Sequence, residues 1–96
     1  MSNSPLVNYT LISPNKNSPR NHKIDTISIH CFVGQVTAKR GCEVFQPTSK
    51  EASCNYVVGY DGSIGLCVDE GDRSWCTSSG SNDHRAVTIE TASDNK

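Results

Sequence analysis

The stretch KIDTISIHCFVG, Lys23 to Gly34, leaves little room for anything but a β-strand that closes on a histidine. Four of the six positions from Ile24 to Ile29 are β-branched, which favours a pleated, packed setting. Alternation puts Ile24, Thr26, Ser28 and His30 on one face and Asp25, Ile27, Ile29 and Cys31 on the other. The strand is expected to be short and buried. It runs into Val33-Gly34, so His30 stands at its end, where sites gather in sheets flanked by helices. A lone strand histidine is more often an ordinary side chain than a ligand. Its place at the strand end is what makes His30 a candidate.

The remaining elements follow from period and punctuation. Residues 1–22 hold three of the four prolines and are expected to form an extended arm, with Val7, Tyr9 and Leu11 docking along the domain edge. Thr37 is a fair N-cap for a short helix over Ala38 to Phe45, where Ala38, Cys42 and Phe45 share one face. Gly41 weakens that helix by about 1 kcal/mol relative to alanine. Pro47 ends it, and Thr48 to Ala52 reads as loop. Asn55 to Tyr60 and Ser63 to Val68 read as a hairpin across Asp61-Gly62, a pair suited to a type I′ turn with positive φ at both positions. In its second strand Ile64, Leu66 and Val68 share a face.

Glu70 to Asp83 reads as an irregular polar loop carrying Arg73, Trp75 and Cys76. A loop of that length in a small domain is more often functional than filler. Trp75 either plugs the core or lines a cleft. Ala86 to Ala92 reads as a last strand, with Val87 and Ile89 on one face and Ala86, Thr88, Glu90 and Ala92 on the other. A glutamate inside a strand needs a partner or a job.

Composition bounds the function. Nine Lys+Arg against ten Asp+Glu argue against nucleic acid or an anionic membrane held by bulk charge. No apolar run approaches bilayer length, and the polar first twenty residues lack a secretory signal. With 96 residues, 34% of them apolar, one domain with a thin core is expected. The five cysteines form no C-x-x-C motif. They are expected to be mostly core thiols, with one bridge still open.

The order SIHCFVG, helix, SCNYVVGYDGSIGLCVDE, DRSW, NDHRAVTIE resembles the zinc-dependent N-acetylmuramoyl-L-alanine amidases, above all the clostridial and phage endolysin and autolysin branch. The resemblance runs from about Ser13 to Asp94. It implies hydrolysis of the amide between the lactyl group of muramic acid and the first alanine of the peptidoglycan stem. His30 matches the family's first zinc ligand, and Glu90 matches the carboxylate beside the metal-bound water. Asn55, Thr88 and Trp75 are carried as substrate-binding candidates. Cys54 stands where relatives often have serine, and Cys76 follows Trp75 where more distant members have histidine; neither is given a catalytic task. His84 is a candidate for shaping the cleft.

The departures matter too. The family's further zinc ligands, a histidine and then a cysteine or aspartate, come after a long helix that follows the glutamate strand, and only Thr91 to Lys96 follow Glu90 here. One histidine does not make a catalytic zinc site, which needs three protein ligands and an open position. The chain is therefore expected to be the first part of an amidase domain. Its architecture would be an α/β fragment: a mixed sheet of about four strands, one short helix and the extended arm, with residues 23–96 as the partial amidase domain. Two other readings stand beside hydrolysis: a peptidoglycan-binding module without catalysis, or an inactive fragment with one sheet face left wet. A local metal site of His30, His84 and a cysteine such as Cys31 or Cys76 is a further alternative. The missing signal fits a phage endolysin made in the cytoplasm and acting at the wall.

Overall fold

A computed structural model describes residues 3–31, 34–77 and 79–93. In chain order the elements are β1 (Tyr9–Thr10), β2 (Lys16–Asn17), β3 (Thr26–Cys31), α1 (Ala38–Val44), a 3-10 turn (Thr48–Lys50), β4 (Tyr56–Val58), β5 (Ile64–Leu66), β6 (Arg73–Ser74), α2 (Gly80–Arg85) and β7 (Ala86–Thr91). A five-stranded mixed sheet runs β1-β5-β4-β7-β3, and β2 pairs with β6 in a separate ribbon. β3, β7 and β4 are mutually parallel, β5 is antiparallel to β4, and β1 is parallel to β5. This is an α/β architecture, with five strands in the sheet where about four were expected.

The fifth strand comes from the arm. Asn8 N donates to Ile64 O at 2.9 Å, Leu11 N to Leu66 O at 3.1 Å and Ser13 N to Cys67 O at 2.8 Å, so this segment satisfies the outer edge of β5. Asn15, 1% exposed, then donates its amide to Phe45 O, Pro47 O and Ala52 O. The asparagine thereby ties the arm to the carbonyls at and beyond the end of α1, the part of a helix whose C=O groups are satisfied from outside it. Tyr9 and Leu11 pack against the core, as expected.

α1 starts where its cap requires. Thr37 Oγ1 accepts from Arg40 N at 3.2 Å, and Ala38, Cys42 and Phe45 are buried at 0, 0 and 5% exposure. Those side chains join Cys54, Val57 and Cys67 in the core beneath the sheet. Gly65 on β5 lets the helix approach: a Cβ there would stand 2.8 Å from Cys42 Sγ and 3.2 Å from Ala38 Cβ. Gly65→Ala is accordingly expected to cost about 1–3 kcal/mol by overpacking. An unchanged urea midpoint for that variant would mean that α1 does not lie on β5.

Register fixes what shares the helix-side face. Residues directly opposite on neighbouring strands point the same way, and one rung crosses all five strands: Tyr9, Gly65, Val57, Glu90, His30. α1 packs on β1, β5 and β4. It covers the first three members of the rung, so the far end carries the two polar groups.

Three expectations change. β3 is an edge strand rather than a buried one, and Ile27 and Ile29 are 68% and 66% exposed. Their face of the sheet continues into an apolar groove lined by Ser4, Tyr56, Val58, Ile64, Val87 and Ile89. The hairpin loop has positive φ only at Gly62 (85°). Gly59 N donates to Ser63 O at 2.8 Å and Gly62 N to Gly59 O at 3.0 Å, closing a three-residue loop instead of a type I′ pair. Asp61 Oδ1 accepts from Ser63 N and Ser63 Oγ, which stabilises the wider turn. Finally, the stretch from Glu70 to Asp83 is not irregular throughout. It carries β6 and the start of α2, the latter capped by Ser79 Oγ accepting from Asn82 N.

Candidate active site

His30 and Glu90 are register partners on adjacent parallel strands, at the carboxyl ends of β3 and β7. Cys76, which follows β6, brings its sulfur to the same place. One ligand atom from each of His30, Cys76 and Glu90 lies within 4.8 Å of the other two, and Cys76 Sγ is 3.8 Å from Glu90 Oε2. The two strands fix the first pair, because a parallel ladder cannot slide one residue without reversing every face.

A buried carboxylate places the third member. Asp83, fully buried on α2, accepts from Cys76 N at 3.2 Å, Thr77 N at 3.2 Å and Thr77 Oγ1 at 2.7 Å. It also pairs with Arg73 Nη2 at 3.8 Å. On the other side Trp75 N donates to Ser53 Oγ and Ser53 N to Trp75 O, both at 3.0 Å. The backbone on either side of Cys76 is thus held at both ends.

The surroundings oppose negative charge. Burial pushes the Glu90 carboxyl above the ordinary range, partly offset by the nearby His30 and the Cys76 thiol. Burial likewise pushes the Cys76 thiol up to about 12, helped by Glu90 and Asp83. A thiol and a carboxyl that both resist ionisation beside an imidazole make a place that a cation would settle.

The other sequence candidates divide. Asn55 and Thr88 are both 0% exposed, and their polar atoms are spent on the chain itself. Asn55 Oδ1 accepts from Thr88 N at 3.0 Å, and Asn55 Nδ2 donates to Val68 O at 3.0 Å and Asp69 O at 3.1 Å. Thr88 Oγ1 and Ser74 Oγ are 2.6 Å apart. These two residues staple β4 to β7 instead of facing a ligand. Their block position and face suggested a cleft, but both belong to the covered side of the sheet. Trp75 does line a cleft of about 320 Å³, with Asn17, Glu51, Arg73 and Asp83, and its Nε1 donates to Asn17 Oδ1 at 2.8 Å. His84 lies apart from the cluster: its Nδ1 accepts from Asn21 N at 3.0 Å. In the local metal alternative, then, Glu90 takes the place given to His84, and Cys76 takes the cysteine's place. Cys31 is exposed, and Cys42, Cys54 and Cys67 are buried free thiols.

Two contributors were not visible in the sequence. Asp83 reads as one more loop polar, and only its burial reveals its work. Arg20 reads as part of the extended arm, with nothing to single it out, yet its guanidinium donates to the carbonyls of Glu70, Asp72, Asp83, His84 and Ala86. A second groove, about 530 Å³, lies along the same end of the sheet as His30 and Glu90, lined by Cys31, Gln35, Gly59, Tyr60, Ala92 and Ser93.

No curated protein matches this chain. Among solved structures it is similar to a mutant of PlyL, at a TM-score of 0.72 and 14% identity. That superposition covers 88% of this chain and 57% of the other, so the chain spans little more than half the length of that relative. The likeness establishes the fold. None of the helices among the described residues is long and apolar enough to cross a membrane. The sequence itself matches the N-acetylmuramoyl-L-alanine amidase family over residues 20–95, from Arg20 through the strand that carries Glu90, and the chain belongs to that family.

Proposed function

We propose that this chain carries the strand-borne half of a peptidoglycan amidase site, with His30 as a zinc ligand and Glu90 as the proton-transferring carboxylate. The observation that supports the reading is the pairing of His30 with Glu90, in register, on one face at the carboxyl ends of β3 and β7. Family membership supports peptidoglycan as the substrate. The reaction is amide hydrolysis: water adds to the carbonyl carbon, the C–N bond breaks, and the products are a lactyl carboxylic acid and a peptide with a free alanine amine.

The donor set fits zinc. Imidazole nitrogen and thiolate sulfur are among its usual ligands, and the Glu90 carboxylate lies beside them, one ligand atom of each residue within 4.8 Å of the others. When bound, zinc supplies Lewis acidity, polarising the carbonyl and making water a nucleophile near neutral pH. The chain's own groups do the rest. His30 contributes a nitrogen from a strand end that its ladder with β7 keeps in place. Glu90 accepts the proton from the attacking water and returns it to the departing alanine nitrogen. Burial that raises its pKa makes the second, acidic half of that task easier. The Trp75 cleft offers an aromatic wall beside Arg73 and Asn17 for a sugar or stem peptide, and binding at that wall would orient the scissile amide.

The test is release of peptides with N-terminal alanine from purified peptidoglycan. The expected result is release that a chelator stops and added zinc restores. Wall binding that survives the chelator, with no release, would instead favour a binding module. Action at the cell wall, as for an endolysin, follows from the same reading.

A further inference from the structure

We propose that Cys76 is a metal donor, and that His30, Cys76 and Glu90 together form a three-donor cation site contained within this chain. The inference rests on the reading of His30 as a metal ligand given above, and adds to it a donor supplied by the loop after β6. A borderline-soft divalent ion such as Zn²⁺ is the cargo that this mixture of nitrogen, sulfur and oxygen selects.

Geometry carries the proposal. In a tetrahedral zinc site with bonds of about 2.0–2.3 Å, neighbouring donors stand roughly 3.3–3.8 Å apart. The Cys76 Sγ to Glu90 Oε2 separation of 3.8 Å already lies at that spacing, and the whole set lies within 4.8 Å. The three donors come from three separate segments, two of them neighbouring strands, and each is held independently. His30 and Glu90 are fixed by the β3–β7 ladder, and Cys76 by the hydrogen bonds of its backbone N to Asp83 and of its neighbour Trp75 to Ser53. Ligands positioned before the ion arrives lose little freedom on binding it. Three protein donors leave a fourth position for water or substrate.

The site also sets a choice for Glu90. A carboxylate bonded to the ion no longer has that oxygen free to take a proton. With Glu90 drawn in, that oxygen is a ligand, and hydrolysis waits on its release. With Glu90 released, its carboxylate is free to take the proton beside the ion. Metal capture and amide hydrolysis are therefore separable properties of one cluster.

Cobalt(II) titration tests this, because a thiolate on cobalt gives a near-ultraviolet charge-transfer band that nitrogen and oxygen donors do not. The full 96-residue chain, kept reduced, is expected to develop that band to saturation at one equivalent and to lose it when zinc is added. Cys76→Ser should abolish the band and weaken cobalt binding. Changes in groups that merely hydrogen-bond a metal ligand cost about 10–100-fold in affinity, so loss of a direct donor should cost at least about 100-fold. Cys31→Ser should leave both unchanged, since that thiol is exposed and outside the cluster, and His84→Ala should do the same. A band that persists in Cys76→Ser, or that vanishes in Cys31→Ser, overturns the proposal, as does no band at one equivalent. Circular dichroism of each variant checks that the fold is kept. Failure here would leave the amidase reading standing on His30 and Glu90, whereas a chain that binds cobalt through Cys76 but releases no peptide would count against the amidase reading alone.

Discussion

Replacing Arg20 by alanine is expected to destabilise the chain by about 3 kcal/mol or more, a large share of the roughly 5–10 kcal/mol that holds a domain this size together. The guanidinium donates five hydrogen bonds to backbone carbonyls, from 2.8 Å at Glu70 O to 3.3 Å at Asp83 O. Those carbonyls belong to the loop before β6, the end of α2 and the first residue of β7. Alanine leaves several of them without a donor, and buried carbonyls without partners are costly. Burial lowers the Arg20 pKa while Glu70, Asp72 and Asp83 raise it, so the charge is held inside a ring of acidic neighbours that would repel one another without it. Lysine should rescue little, since one ammonium cannot reach carbonyls spread around a planar fork. Urea denaturation of wild type, Arg20→Ala and Arg20→Lys measures this. A shift below about 1 kcal/mol would mean that the arm is peripheral to the fold.

Glu90→Gln is expected to lower the rate of stem-peptide release by about 10²–10⁴-fold, the range that a positioned general acid–base contributes. Glutamine keeps the shape of the side chain and its place opposite His30, so wall binding and overall fold should persist. The pH behaviour follows from the sign of the shift. Burial raises the Glu90 pKa in the folded chain, so the base becomes protonated, and activity falls, at a pH above the ordinary glutamate range. Stability moves in the opposite sense. A carboxyl whose folded pKa is raised favours the folded state below its unfolded pKa, and that contribution is lost as pH rises through the folded value. Relative to wild type, Glu90→Gln should therefore gain stability as pH climbs from about 4 towards neutrality. Paired rate and denaturation measurements across that range check both trends. An unchanged rate would remove Glu90 from the chemistry.

Much of the frame was legible because local signals agreed with one another. Thr37 and the Ala38–Cys42–Phe45 stripe mark α1 almost to the residue. Alternation in β3 and β7 was enough to place His30 and Glu90 each on a definite face, and the ladder then joined those faces. What stayed hidden was long-range or too short to carry a period. β1 is two residues long, and its partner lies more than fifty positions away, so an arm and a strand look alike before the chain closes. α2 buries only Asp83, so no apolar stripe announces it. Asn55 and Thr88 show the limit of reading function from face and block. Polar side chains on a strand serve a ligand or the backbone, and only their partners tell which. Cys76 shows the same limit in reverse, since its nearness to His30 and Glu90 depends on strands that the sequence cannot bring together.

The most direct test of the central claim, that paired strands carry an amide-hydrolysing site, is mass spectrometry of a defined disaccharide–peptide muropeptide incubated with the zinc-loaded chain. The account expects two products: the disaccharide ending in a free lactyl carboxylic acid, and the intact peptide beginning with alanine, together heavier than the substrate by one water. Cleavage between the sugars or within the peptide would contradict it, as would an unchanged substrate under conditions where the chain is folded and zinc is bound.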